Sequence, residues 1–318
     1  MSISSFLMAN SVPGEHALTQ LTGGANNRVY QVVAGDRKWV LKQYFKRDHD
    51  PRDRFAAEHD YYTSLWAAGI RQIPEPLAWD REQNLGLFEF IEGRKLNLDE
   101  VDRARVDEAL NFIIETNQKA GSAKLNPASE ACFSVAQHLA TVERRIERLG
   151  SITDEEAKFF VEDQLAPKWR EIVDYSDQSD PVVLTNQQRC ISPSDFGFHN
   201  TLLQPDNTLR FFDFEYAGAD DPAKLTCDFF CQPRLPASLD HWEYFVQQFS
   251  SGCNWDDQFA SRARALLPVY QIKWCCIMLN EFLGTEMQRR EFAGNDQDVE
   301  KRRGKQLALA KHALSVVS

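Results

Sequence analysis

The chain has 318 residues, 43% of them apolar and 26% charged, with a formal net charge of −11. That length gives room for two domains or lobes, and the composition is ordinary for a water-soluble globular protein. The sign of the charge argues against nucleic acid or an anionic membrane as a partner, and leans towards an amine-bearing one. No stretch approaches the roughly 18 apolar residues of a membrane span. The N-terminal segment, Met1 to His16, has neither the basic region nor the apolar run of a secretory signal. The seven cysteines form no CxxC pair, so zinc is not expected and reduced thiols in a cytoplasmic protein are.

The first part of the chain reads as β structure. Arg28 to Val33 and Lys38 to Tyr44 are rich in Val and aromatic residues, with Gly35-Asp36 as a hairpin turn between them. Phe55, His59, Tyr62 and Leu65 recur at helical spacing, which predicts a helix from about Pro51 to Ala68. Ile73-Pro74-Glu75-Pro76 reads as a rigid connector, Leu85 to Ile91 as a further strand, and Glu92-Gly93 as a hinge.

Beyond Gly93 the pattern turns helical. Helices are predicted over Asn97 to Lys119, opened by a capping pair of Asn97 and Glu100, and over Ala131 to Leu149 and Asp154 to Tyr175. Further helices are predicted over Trp242 to Phe249, Trp255 to Arg290 with a break near Pro268, and Val299 to Val317. Between the two sets, Pro181 to Ala217 reads as loops and short strands, Thr208 to Phe212 among them. The class is therefore α+β in two lobes, a small β-rich N-lobe over 1–92 and a larger, mainly helical C-lobe over 93–318. The cleft between such lobes is the natural ligand site.

Three patterns carry chemistry. In Ser194-Asp195-Phe196-Gly197-Phe198-His199-Asn200, an Asp precedes an Asn by five residues, the catalytic-loop spacing of kinases. Asp213 follows Asp195 by eighteen residues, at the end of the apolar strand Leu209 to Phe212. Phosphoryl transfer needs one carboxylate to take the proton of the attacking hydroxyl. It also needs oxygen ligands for Mg²⁺, a hard cation. Asp195 fits the first need, and Asn200 and Asp213 the second. At the front, the loop from Leu21 to Tyr30 contains Gly23, Gly24 and Asn27, and glycines let backbone N–H groups approach phosphate oxygens. Lys42 lies on the strand after it, and Glu58 on the helix sixteen residues later; in kinases such a Lys grips the α- and β-phosphates while the Glu steadies its ammonium.

In this order, the Gly loop, strand Lys, helix Glu, hinge, DxxxxN and Asp-Phe-Glu resemble the aminoglycoside phosphotransferase and choline kinase superfamily, over about residues 19 to 232. Phe212-Asp213-Phe214-Glu215-Tyr216-Ala217-Gly218 is similar to its metal-binding strand, and Leu87 to Gly93 to its hinge. The resemblance implies a protein-kinase-like fold and transfer of the γ-phosphoryl group of ATP, or GTP, to a hydroxyl of a small molecule. It implies Asp195 as base, Asn200 and Asp213 as Mg²⁺ ligands, and Lys42 with Glu58 on the phosphates. It further implies adenine against the backbone near Glu89 and Ile91, a structural role for Asp228, and a monomer or homodimer. One position departs from the pattern: Pro193 stands where the family usually has His, two residues before the catalytic Asp. That departure keeps a catalytically inactive, regulatory relative in view as the alternative.

No long activation segment closing in Ala-Pro-Glu follows Asp213, and Glu215 replaces the Gly of Asp-Phe-Gly. Both point to a small-molecule acceptor rather than a protein. Trp242, Tyr244, Trp255, Trp274 and Phe282, interleaved with Glu243, Asp256, Asp257 and Glu281, are candidates for an amine pocket. A helix core with solvated acidic faces explains them better.

Overall fold

The computed structural model describes residues 2–21, 27–46, 52–121, 124–176, 183–283 and 299–317. It opens on a short helix, α1 (Ile3–Ala9), capped by the Ser2 side chain. The strands β1 (Ala17–Leu21), β2 (Arg28–Ala34), β3 (Arg37–Gln43), β4 (Pro76–Asp80) and β5 (Leu85–Glu89) then form one antiparallel sheet in the order β1-β2-β3-β5-β4. Gly35, at φ +59°, makes the two-residue turn that pairs Ala34 with Arg37. Period-2 alternation sends Val32, Trp39, Leu41, Leu85 and Leu87 to one face, where they pack on Phe6 and Leu7 of α1. Lys42 therefore points to the other face, towards α2 (Arg54–Ala67), whose first turn is capped by Asp53.

The rest is mainly helical: α3 (Arg103–Ala120), α4 (Val135–Leu149), α5 (Glu155–Phe160), α6 (Ala166–Tyr175), α7 (Pro222–Cys231), α8 (Trp242–Cys253), α9 (Asp257–Leu279) and α10 (Val299–Ser315). Two short antiparallel pairs sit among them. β6 (Cys190–Ser192) pairs with β9 (Gly218–Asp220), and β7 (Thr201–Leu203) with β8 (Leu209–Phe211). α9 is the central strut of the bundle and packs on α7, α4 and α10. This is the α+β, two-lobed arrangement expected. Among the described residues no helix is long and apolar enough to cross a membrane.

Several boundaries differ from the sequence reading. Asn97 and Glu100 do form a capping box, but it closes a single 3₁₀ turn, Leu98–Glu100, and Asp102 caps the long helix instead. A π-helical turn, Val161–Leu165, joins α5 to α6. α9 runs unbroken through Pro268; Arg264, whose carbonyl loses its helix donor there, is exposed, so water can substitute. The connector at Pro76 is the start of β4, paired to β5 with an irregularity between Pro76 and Ala78 that suits a strand-edge proline. The part of the predicted Trp255–Arg290 helix beyond residue 283 lies outside the described residues.

Candidate active site

β3 and α2 bring Lys42 and Glu58 together. Lys42 Nζ donates to Glu58 Oε2 at 2.6 Å and to Asp213 Oδ1 at 2.5 Å. Both Lys42 and Glu58 are buried, while the Asp213 side chain is 39% exposed. Burial opposes the charge on Lys42, but the carboxylates of Asp213, Glu58 and Glu215 outweigh it and hold the ammonium well above the ordinary lysine range. Burial likewise pushes the Glu58 carboxyl up, against the pull of Lys42. The other Glu58 oxygen accepts the Phe214 N–H at 3.0 Å, and Phe214 packs on Tyr61 and Tyr62 of α2. Helix, lysine and Asp-Phe-Glu segment are thus one packed unit.

The Asp195 loop is shaped by its own main chain. Ser194 and Asp213 both adopt left-handed backbone, at φ 66° and 70°, a conformation that costs a non-glycine residue and clusters at functional sites. Ser194 N–H donates to the buried Ser192 Oγ at 3.0 Å, and Asp195 N–H to the Pro193 carbonyl at 3.0 Å. These bonds hold the loop where the expected histidine is replaced by Pro193. Asn200 Nδ2 donates to the Asp195 carbonyl at 2.9 Å, which leaves the amide oxygen as its remaining polar atom. His199 Nε2 lies 3.2 Å from Asp195 Oδ1. Burial would raise the Asp195 carboxyl, but His199, then Arg234 and Lys273, hold it below its ordinary 3.8.

At the hinge, a Cβ on Gly93 would lie 2.8 Å from the Leu203 carbonyl. Only glycine lets Arg94 exchange two backbone bonds with Leu203, at 3.0 and 2.8 Å. Glu89 is committed to the protein: its N–H bonds Glu75, and its carboxylate accepts from Arg210 at 2.9 Å. Ile91 is buried, and among the described residues its N–H has no hydrogen-bond partner. Gly23 and Gly24 lie outside the described residues. Asn27 is described, and its side chain is used internally: Nδ2 donates to Glu215 at 2.5 Å, and Oδ1 accepts the Phe45 N–H at 3.0 Å. Glu215 also lies 3.7 Å from Arg54. This buried tie between the front loop and the segment after Asp213 was not readable in the sequence, because Arg and Glu are ordinarily surface residues.

A family model described as the phosphotransferase enzyme family matches residues 17–231. The chain belongs to that family. No curated protein matches significantly over its sequence. Among solved structures, the choline kinase of Cryptosporidium parvum is similar with a TM-score of 0.62 at 12% identity, over 98% of this chain and 96% of that one. The choline kinase of Streptococcus pneumoniae gives 0.61 at 15%, over 98% and 97%. A spectinomycin phosphotransferase solved with ADP and spectinomycin gives 0.58 at 14%, over 98% of each. At such identities the likeness establishes the shared kinase-like fold.

In this phosphotransferase several of the candidate amine-pocket residues are spent elsewhere, while Glu243 and Trp255 line one pocket with Arg264. Trp242 and Phe282 are core, Glu243 pairs with Arg264, Glu281 with Arg302, and Asp256 caps α9. Beneath the site runs a buried ionic network. Asp228 accepts from Lys273 at 2.8 and 3.0 Å and from Trp274 Nε1 at 2.9 Å, and Asp220 accepts from Lys224 at 2.5 Å. His138 sits between Asp221 (3.1 Å) and the Tyr270 hydroxyl (2.7 Å). Burial opposes its charge, but the bond to Asp221, with help from Cys132, raises the imidazole from 6.5 to about 9.

A folded-state value above the unfolded one means stabilisation present below pH 6.5 and lost as pH rises through about 9. Thermal unfolding should therefore show a decline across that window, on the order of 3 kcal/mol for a fully buried group. His138→Gln should flatten it; an unchanged pH profile in that variant would dismiss the assignment.

Proposed function

We propose that this chain is an ATP-dependent kinase of small molecules, moving the γ-phosphoryl group of ATP, or GTP, to a hydroxyl of a sugar, amino alcohol or aminoglycoside. The observation that carries the reading is the meeting of Lys42 with both Glu58 and Asp213 at hydrogen-bond distance, joined to the Asp195 loop by the bond from Phe212 N–H to the Asn200 carbonyl at 3.1 Å. Charged residues far apart in the chain have no packing reason to be buried against one another, with one carboxylate left half-exposed. The family match and the ADP-bound neighbour support nucleotide use.

In this reading residues 1–92 hold the nucleotide and 93–318 carry the catalytic loop and acceptor site. The unpartnered N–H of Ile91 suits an adenine edge. Lys42 binds the α- and β-phosphate oxygens and is kept in place by Glu58. Asp195 takes the proton of the attacking hydroxyl as the new O–P bond forms and the bond to ADP breaks. The donor set left to a metal is hard oxygen, from the free amide oxygen of Asn200 and the half-exposed carboxylate of Asp213, and that set fits Mg²⁺. Mg²⁺ would supply neutralisation of phosphate charge. Among the described residues no three His, Cys, Asp or Glu gather as a metal site, and one carboxylate plus one amide shared with nucleotide phosphates requires no such group. The inactive-relative alternative draws on Pro193 alone.

Calorimetric titration with ADP, with and without Mg²⁺, tests the site. The native protein should bind Mg-ADP more tightly than ADP, and Asp213→Ala should lose about 10- to 100-fold in Mg-ADP affinity, the worth of a charge-assisted contact. Equal affinities in native and variant protein would sink the metal assignment.

A further inference from the structure

The whole-chain charge of −11 leans towards a cationic partner, but the groups around Asp195 are of the opposite sign. The turn after α7 is clamped onto the catalytic loop. Gln232 is buried, accepts the N–H groups of Arg234 at 3.0 Å and Leu235 at 3.2 Å, and lies close enough to Gly197 that a Cβ there would stand 3.1 Å from its Cγ. This holds the turn that carries Arg234 against the Asp195 loop, with the Arg234 side chain exposed. Among the described residues its guanidinium has no carboxylate partner.

Lys95, entering from the hinge side, places Nζ 2.7 Å from the His199 carbonyl and 4.3 Å from the Phe212 ring centroid, between the Asp195 loop and Asp213. It too has no ion-pair partner among the described residues. Its side chain is exposed. Lys273, the third cation acting on Asp195, is taken up by Asp228. Two cations on either side of the Asp195 loop, neither held in an ion pair among the described residues, leave room for an anion.

We propose that the acceptor alcohol carries an anionic group, a carboxylate or a phosphate ester, and that Arg234 with Lys95 holds it while the hydroxyl faces Asp195. This rests on the kinase reading and names the substrate class of the same site. Of the acceptors in that reading it keeps the sugar-like class in anionic form and sets aside the amino alcohols and aminoglycosides that the net charge favours, because a screened global charge matters less than cations at the site itself.

The test uses the full chain saturated with Mg-ADP, which occupies the phosphate-binding Lys42, and titrates glycerol 3-phosphate and D-glycerate against glycerol and choline by calorimetry. Both anions should bind, with glycerol and choline at least about tenfold weaker, and Arg234→Gln should cut anion affinity about 10- to 100-fold. ADP affinity in that variant should move less than about twofold, as for a surface substitution away from the nucleotide. Normal Mg-ADP binding with choline or glycerol bound as well as the anions overturns the inference alone. A loss of ADP affinity in Arg234→Gln without loss of anion binding also overturns it, and reassigns the arginine to the nucleotide. Failure to take up Mg-ADP at the first step overturns this inference and the kinase reading together.

Discussion

Asp195→Ala is expected to lower turnover by about 10²- to 10⁴-fold, the usual worth of a positioned general base, with Mg-ATP affinity held. The structure explains why the two effects should separate. The loop is held by main-chain bonds, from Ser194 N–H to Ser192 and from Asp195 N–H to the Pro193 carbonyl, and Asn200 bonds the Asp195 carbonyl rather than its side chain. Removing the carboxylate therefore leaves Asn200, Asp213 and Lys42 in place. Because His199, Arg234 and Lys273 outweigh burial and keep the carboxyl below 3.8, the Asp195 carboxylate is ionised throughout the neutral range. Activity of the native enzyme should accordingly show no acid limb from this residue until pH falls below the ordinary carboxylate range. A variant that turns over at the native rate, or one that loses nucleotide binding along with activity, would contradict the role given to Asp195.

The largest effect on stability is expected from Asp228→Ala. Asp228 is buried, accepts two bonds from Lys273 and one from Trp274, and stands 3.4 Å from Lys224. Lys224 keeps Asp220 after the substitution, but Lys273, buried at 5% exposure, is left without a carboxylate. Orphaning a buried charge costs about 3–5 kcal/mol. Urea unfolding of native and variant protein measures it, and Lys273→Met in the same background should recover part of the loss by removing the stranded ammonium. A cost below about 1 kcal/mol would place Asp228 among residues of ordinary surface character.

Much of this site was legible because its parts are local. The Gly35-Asp36 turn fixes the register that puts Lys42 on the α2 face, and a helix at the right spacing then carries Glu58. The Asp195–Asn200 spacing and the apolar strand before Asp213 are likewise short-range signals. Other parts were not legible for definite reasons. α1 is a seven-residue helix, too short for its periodicity to stand out, and β1 is exposed at every position, so it shows no alternation. The left-handed backbone at Ser194 and Asp213 carries no glycine to announce it. The Asn27–Glu215 and His138–Asp221 contacts join residues 188 and 83 positions apart, and buried charges that pair only in three dimensions look, along the chain, like solvated ones. Pro193 read as a loss in the sequence; in the structure its carbonyl and the Ser192 hydroxyl hold the loop.

The measurement that bears most directly on the central claim is incubation of the protein with Mg-ATP and a pooled panel of small hydroxyl compounds, products identified by mass. A compound gaining one phosphoryl group with release of ADP, in native protein but not in Asp195→Ala, is the predicted result. A nucleotidyl adduct with release of pyrophosphate, or the same phosphorylated product from the variant at the native rate, would contradict it.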